Sequence, residues 1–439
     1  MSWWQLARLG LVQAAIGAVV VLLTTTINRV IVVELALPAT IPGVLVALHF
    51  GVQLILRPKL GHASDRSGRR TPWIVGGLTV CALGGIGVAA SIPVMANHPV
   101  LGVVLASIAS IVLGAGVSAA GTPLLALMSE LARPEQRAGA AAITWILMIV
   151  GIIITAAISG VLLDPFSFTR LIAIAGGIGA IGVLIGVFAT LGIERTTVLH
   201  ATTPAAVRAP AMSFRDAMAS VWSEPAARSF AGFVFLAMLA YSAQDLILEP
   251  FAGLAFGMTP GASTKLSSMQ HGGVLIGMVV AALLATRSGQ LRHWAAGGCV
   301  ASAVTYIALV AAPTVASVLY FRAVVLSLGV ANGVFAIGAI GSMMSLTGDK
   351  SDGRAGLRLG VYGAAQAIAY AMGTMLGAVG VDVARALMAS PIRGYLAVFF
   401  IQAMLFGVAA VLAMRSASSE RAHDVFQQRG DVLPAVLQA

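Results

Sequence analysis

The placement of charge divides this chain into twelve apolar runs, near residues 9–28, 41–60, 73–92, 99–128, 140–162, 170–193, 229–257, 266–286, 294–312, 318–346, 357–383 and 393–414. About 20 apolar residues cross the hydrocarbon core of a bilayer as one helix, because a lipid-solvated segment must satisfy its backbone N–H and C=O groups internally. The runs predict an all-α membrane protein with twelve transmembrane helices. Composition excludes a water-soluble alternative: 59% of the 439 residues are hydrophobic and 10% are charged, too few to cover a globule of this size with polar surface. The first run is too long for a signal-peptide core and lacks the usual cleavage site, so it is expected to remain as a span. Cys81 and Cys299 fall inside the third and ninth runs. Two isolated cysteines provide neither a disulfide framework nor a zinc ribbon, and both read as packing residues.

The formal charge of +10 would suit nucleic acid, but its distribution points to topology instead. With the amino terminus inside, 20 of the 26 Lys and Arg residues fall on one side of the membrane, among them Arg8, Arg66, Arg69, Arg70, Arg133 and Arg137. The positive-inside rule then places both termini in the cytoplasm. Nucleic acid is not an expected partner; the bilayer is.

The chain also repeats itself. "RSGRRTPWIVGG" from Arg66 matches "RSGQLRHWAAGG" from Arg287 at an offset of 221, and "GVSAAG" from Gly116 matches "GVFAIG" from Gly333 at an offset of 217. Two echoes in the same order imply one six-helix unit used twice. The expected organisation is an N-terminal half over 1–193, a cytoplasmic linker over 194–228, a C-terminal half over 229–414 and a cytoplasmic tail over 415–439. The linker carries Pro204, Pro210 and Pro225 and a short amphipathic stretch from Ser213 to Trp222.

Two six-span halves with both ends inside resemble the major facilitator superfamily, whose halves rock about a central cavity. "GHASDRSGRR", from Gly61, fits that superfamily's G-x-x-x-D-R-x-G-R-R pattern between spans two and three. The resemblance implies a cytoplasmic gate built from Gly61, Asp65, Arg66, Gly68, Arg69 and Arg70. The two glycines would permit a tight turn, and the arginines would pair with a carboxylate such as Glu130 at the end of span four. In the second half Thr286 stands where Asp65 stands in the first, so that gate reads as degenerate.

An ionisable side chain at membrane depth costs roughly 2.5 to 3.5 kcal/mol on insertion scales and marks a candidate site. Span one carries Asn28, Arg29 and Glu34, span seven carries Gln244, Asp245 and Glu249, and span ten carries Arg322. In the repeat alignment Asn28-Arg29 falls on Gln244-Asp245. An Arg29–Asp245 pair across a cavity is the leading expectation, with Glu34 and Glu249 about one turn further along to bind a cation, accept a proton or pair with Arg322. A hydrated structural role in the interface remains the alternative. His49 and His271 occupy nearly equivalent repeat positions in spans two and eight, where a neutral imidazole can either pack or ligate the magnesium of a chlorophyll-type pigment. No metal-site spacing, phosphate loop or nucleophile elbow is present, so an enzyme is not expected.

Finer stretches narrow the resemblance. "INRVIVVELALPATIPGVLVALH" from Ile27 and "QDLILEPFAGLAFGMTPGASTKL" from Gln244 resemble the PucC/LhaA, or bacteriochlorophyll delivery, branch of that superfamily. The residues that carry the second likeness are Gln244, Asp245, Leu248, Glu249, Pro250, Phe251 and Gly253. The amino-terminal "MSWWQLARLGLVQAAIGAVVV" resembles the member encoded near bacteriochlorophyll synthesis enzymes. One departure is that residues 61–72 keep the general carrier pattern. The resemblance implies a photosynthetic-complex assembly factor of the bacterial cytoplasmic or intracytoplasmic membrane. Such a factor would receive bacteriochlorophyll or a late precursor from its synthase and present it to antenna or reaction-centre polypeptides, with a Gly- and Ala-rich lateral groove in spans four, ten and eleven to admit the ring. A proton-coupled carrier of a small amphiphile and a non-transporting scaffold remain as alternatives.

Overall fold

The computed structural model describes residues 2–67, 69–133, 136–194, 225–288, 291–348, 355–388 and 390–436. Residues 195–224 of the linker, including the amphipathic stretch from Ser213 to Trp222, and Gly68 lie outside these residues, while Pro225 to Arg228 already belong to the next helix. Among them, twelve segments are long and apolar enough to cross a membrane. Helix α1 (Trp3–Leu22) continues through two π-helical turns, Leu23–Ile27 and Val30–Glu34, to complete span one. Spans two to six are α2 (Thr40–Ser67), α3 (Thr71–Asn97), α4 (Pro99–Leu131), α5 (Arg137–Leu162) and α6 (Phe168–Thr190). Span seven is broken into α7 (Pro225–Ala243), a single 3-10 turn (Gln244–Leu246) and α8 (Leu248–Phe256). Spans eight to twelve are α9 (Pro260–Ser288), α10 (Leu291–Val315), α11 (Val318–Gly348), α12 (Ala355–Met388) and α13 (Pro391–Val436). An even number of crossings returns the chain to the face on which it began, here called the terminal face.

Local chemistry explains the helix ends. Ser2 and Gln5 form a capping box at α1, with the Gln5 amide N–H donating to the Ser2 hydroxyl at 3.3 Å. Ser167 caps α6 by accepting from the Arg170 N–H at 3.2 Å. Gly257, at φ 62°, ends α8 in the left-handed conformation that a side chain would oppose.

The repeat is visible in packing as well as in sequence. A methyl group at Gly77 would meet the backbone of Ala120, and one at Gly298, its counterpart at offset 221, would meet the backbone of Phe335. Small residues thus let α3 approach α4 and α10 approach α11 closely, the way helices associate where lipid removes the hydrophobic drive between them. The fold is two six-helix pseudo-repeats. They meet where α5 lies along α9 and α2 lies along α12. Ser268 donates to the Ile153 carbonyl at 2.9 Å across the first seam, and Gly43 sits under Ala378 and Met375 in the second.

Two expectations need correction. Gly61 does not make a turn: α2 runs through Pro58 to Ser67, and Gly61 instead brings α2 against the Thr122 methyl of α4, 3.2 Å from where its own methyl would be. Arg322 is not a cavity residue: it lies in the second turn of α11 and is exposed, where a long cationic side chain reaches the polar interface. The expected tail over 415–439 is described as a continuation of α13 to Val436.

Candidate functional site

The polar residues of the interior form three tiers. The first lies near the face opposite the termini, where spans one and seven both lose regular α geometry. Such breaks at membrane depth free backbone carbonyls that need partners, and they occur where a cavity or site is lined. Asn28 Nδ2 donates across the halves to the Leu246 carbonyl at 2.8 Å, inside the break of span seven. Arg29, 3% exposed, donates from Nη1 to Glu34 Oε1 and from Nη2 to the Met258 carbonyl, each at 2.5 Å. Its guanidinium lies flat on Gly253, where an added methyl would come 2.9 Å from Nη2. Thr26 and Thr264 hydroxyls meet at 3.0 Å on the same seam. Asp382 of α12 accepts from the backbone N–H groups of Ala39 (3.0 Å) and Thr40 (2.7 Å) and from the Thr40 hydroxyl (2.6 Å). A carboxylate of one half thereby caps the first turn of a helix of the other.

The second tier is central. Tyr370 of α12 donates its hydroxyl to Asp245 Oδ2, and its ring lies 5.0 Å from Phe50 and 6.5 Å from Tyr241, centroid to centroid. Phe50 stacks edge-on against His49 at 5.0 Å. The His49 ring nitrogen Nε2 is 2.8 Å from Gln53 Nε2, and Gln53 Oε1 accepts from Arg57 Nη2 at 2.6 Å. Arginine only donates, so the Gln53 oxygen must face Arg57 and its NH2 must face His49. That assignment puts the His49 proton on Nδ1, which is buried without a partner. His271, on the inward side of α9 opposite exposed Ile276 and Leu283, holds the Ser267 carbonyl with Nδ1 at 2.9 Å. Nε2 is left for another partner, the arrangement usual for a ligating histidine.

The third tier is at the terminal face. Arg70 grips Glu130 with two nitrogens, Nη2 to Oε1 at 2.5 Å and Nε to Oε2 at 3.2 Å, within the first half. Glu194 accepts from the backbone N–H groups of Arg70 and Thr71 and so caps α3. Arg66 and Arg69 are exposed, and the Asp65 side chain lies outside the described residues.

Of the residues expected from sequence, Asn28, Arg29, Glu34 and Glu249 gather in the first tier, and Asp245 and His49 in the second. Arg29 and Asp245 do not pair. Glu34 follows Arg29 by five residues on a π-helical segment, which brings the two together, while Asp245 turns toward Tyr370. Gln244 is not a cavity residue either; it faces its own half, its Oε1 accepting from Tyr306 (2.6 Å) and Asn332 (3.4 Å), with Ser302 bonded to Asn332. Sequence reasoning missed Asp382, Glu194, Gln53, Arg57 and Tyr370. Asp382 stood within the eleventh apolar run, and its charge alone was signal enough. Among the described residues no group of three or more His, Cys, Asp or Glu side chains could hold a metal ion.

Comparison with known proteins gives this arrangement a context. A family profile described as "PUCC protein" matches residues 26–420. The chain belongs to the PUCC protein family. A "Bacteriochlorophyll synthase 44.5 kDa chain" of Rhodobacter capsulatus is 45% identical, covering 94% of this chain and 95% of that one. An "Uncharacterized protein in puhA-bchM intergenic region" of the same species is 30% identical over 93% and 88% of the two chains, and Protein PucC of Rhodovulum sulfidophilum is 29% identical over 87% and 86%. In fold, this PUCC-family chain is similar to a bacterial homologue of the human lysosomal transporter Spinster (TM-score 0.68, 14% identity, 95% and 97% covered). It is equally similar to a D-xylose–proton symporter (TM-score 0.68, 15% identity, 93% and 95% covered). With these solved structures the chain shares the major facilitator fold.

Proposed function

We propose that this PUCC-family protein binds bacteriochlorophyll or a late precursor in the bacterial cytoplasmic or intracytoplasmic membrane and hands it to light-harvesting or reaction-centre polypeptides. Bacteriochlorophyll synthase would be the supplying partner. Support comes from family membership, from the pigment-related name of the 45%-identical relative, and above all from the state of His271. Its Nδ1 is held by the Ser267 carbonyl, which leaves Nε2 as the nitrogen that could ligate the magnesium of a chlorin. His49 does not fit that role: Nε2 is bonded to Gln53, and the backbone carbonyl of His49 lies against Gly114. A phytylated macrocycle is almost insoluble in water, so transfer within a protein keeps free pigment out of the membrane.

The test is an absorption spectrum, with solvent extraction and chromatography, of full-length protein purified gently from a pigment-producing host. Stoichiometric pigment that His271→Leu loses and His49→Leu retains is the expected outcome. A colourless protein that still holds antenna polypeptides would replace delivery by a scaffold.

A second reading, a proton-coupled carrier of a small amphiphile, draws on the breaks in spans one and seven, which give a rocking carrier its hinge. Asp245→Asn separates the two: it collapses pH-driven flux in a carrier but alters pigment occupancy or antenna yield in a delivery factor.

A further inference from the structure

Asp245 stands in the 3-10 turn of span seven and receives one hydrogen bond, from the Tyr370 hydroxyl, at Oδ2. Among the described residues nothing donates to Oδ1, and no Lys or Arg lies within ion-pair distance of the carboxylate. The arginines of spans one and two are engaged elsewhere, Arg29 by Glu34 and the Met258 carbonyl, Arg57 by Gln53. His49 supplies no charge either, since its Nε2 accepts from Gln53 and the ring is therefore neutral. A carboxylate at membrane depth without a counter-charge is costly to keep.

Aromatic rings from three helices share its tier. The Phe50 ring of α2 lies 5.0 Å from that of Tyr370 on α12 at an interplanar angle of 65°, and the Tyr241 ring of α7 lies 6.5 Å from it at 50°. The rings are thus angled walls and not a flat stack. Tyr241 precedes Asp245 by about one helical turn on the same span. All four side chains are only half-buried, although Tyr370 lies on the side of α12 away from exposed Ile368, Met372 and Leu376. Their open surfaces line a space inside the protein, at the seam between α2 and α12.

We propose that Asp245, Tyr370, Tyr241 and Phe50 form a binding site for an organic monocation, a protonated amine or quaternary ammonium carried on an apolar body. Oδ1 of Asp245 faces the cationic centre, the Tyr370 hydroxyl holds the carboxylate in place through Oδ2, and the rings cover the surrounding methyl or methylene groups. Ring faces attract such a cation through their quadrupole, and the attraction grows where water is excluded. A metal ion is served less well, because it asks for a shell of several oxygen ligands and most of this wall is ring. A chlorin carries no ammonium group, so the cation is a second ligand and the inference does not rest on the pigment reading.

The experiment uses full-length protein from a host that makes no pigment, in phosphatidylglycerol nanodiscs, so that its failure bears on this site and leaves the His271 spectrum as the separate test of pigment binding. Equilibrium dialysis measures labelled benzyltrimethylammonium, a permanent cation, against empty nanodiscs. Saturable binding is expected that phenylmethanesulfonate, an anion of similar size, does not displace. Asp245→Asn should weaken it by at least about tenfold. Phe50→Leu and Tyr241→Leu should each weaken it by about 2- to 30-fold, the range of one cation–ring contact. Tyr370→Phe, which keeps the ring and frees the second carboxylate oxygen, should bind at least as tightly as the wild type. If Asp245→Asn folds poorly, as its size-exclusion profile would show, Asp245→Glu should retain binding and the two ring variants carry the test. Adding phosphatidylcholine to the nanodiscs separates the sources of such a cation: a loss of probe affinity marks a lipid headgroup, and unchanged affinity marks a free molecule. Absence of saturable binding, displacement by the anion, or equal affinity in folded Asp245→Asn or in both ring variants would overturn the proposal.

Discussion

Asn28-Arg29 and Gln244-Asp245 occupy the same place in the two repeats, yet the halves use them differently. In span one both side chains cross to the second half, Asn28 to the Leu246 carbonyl and Arg29 to that of Met258. In span seven neither does: Gln244 is locked with Tyr306 and Asn332, and Asp245 meets Tyr370. The difference follows from how each helix is interrupted. Two π-helical turns widen span one and rotate its polar residues toward the partner half, whereas one tight 3-10 turn in span seven sends consecutive residues to opposite sides. A duplicated sequence therefore yields an asymmetric pair, one span that latches the halves and one that anchors its own half while offering Asp245 to the centre.

Arg29→Met tests the latch most severely. It should lower stability by about 2–3 kcal/mol, less than for a fully buried pair because Glu34 can take up water once alone, and thermal unfolding in mild detergent measures it. Gln244→Leu probes the anchor: leaving the Tyr306 hydroxyl without its acceptor should cost about 1–3 kcal/mol without changing the distance between spin labels at Arg170→Cys and Arg393→Cys, exposed positions one on each half. A change in that distance would mean that span seven also latches. Asp382→Asn keeps shape but removes the charge that caps α2. It should cost about 0.5–2 kcal/mol and raise labelling of cysteines on that face. Arg322→Gln, at an exposed interfacial position, should stay within about 0.5 kcal/mol of the wild type in the same unfolding assay.

The membrane class and twelve crossings were legible because length and apolarity set a span with little help from context. Gly77 and Gly298 were legible as one repeated position, and their shared packing role followed. Arg70 with Glu130 was legible because a carboxylate at the end of span four is a natural bidentate partner for an arginine at the start of span three. The fate of Gly61 was not, since the sequence offered a glycine beside charges and only the length of α2 showed that it lay within a helix.

What the sequence alone determined about this protein is therefore the lipid solvent, the number of spans, the twofold repeat and the short roster of costly polar residues, all consequences of hydrophobic transfer along the chain. Tertiary structure decided the partners. Which carboxylate Arg29 takes, where Gln244 points, which ring nitrogen of His271 is left open and that Asp382 caps a helix of the other half depend on small rotations of interrupted helices. Those rotations are fixed by packing between elements hundreds of residues apart, and no local pattern encodes them.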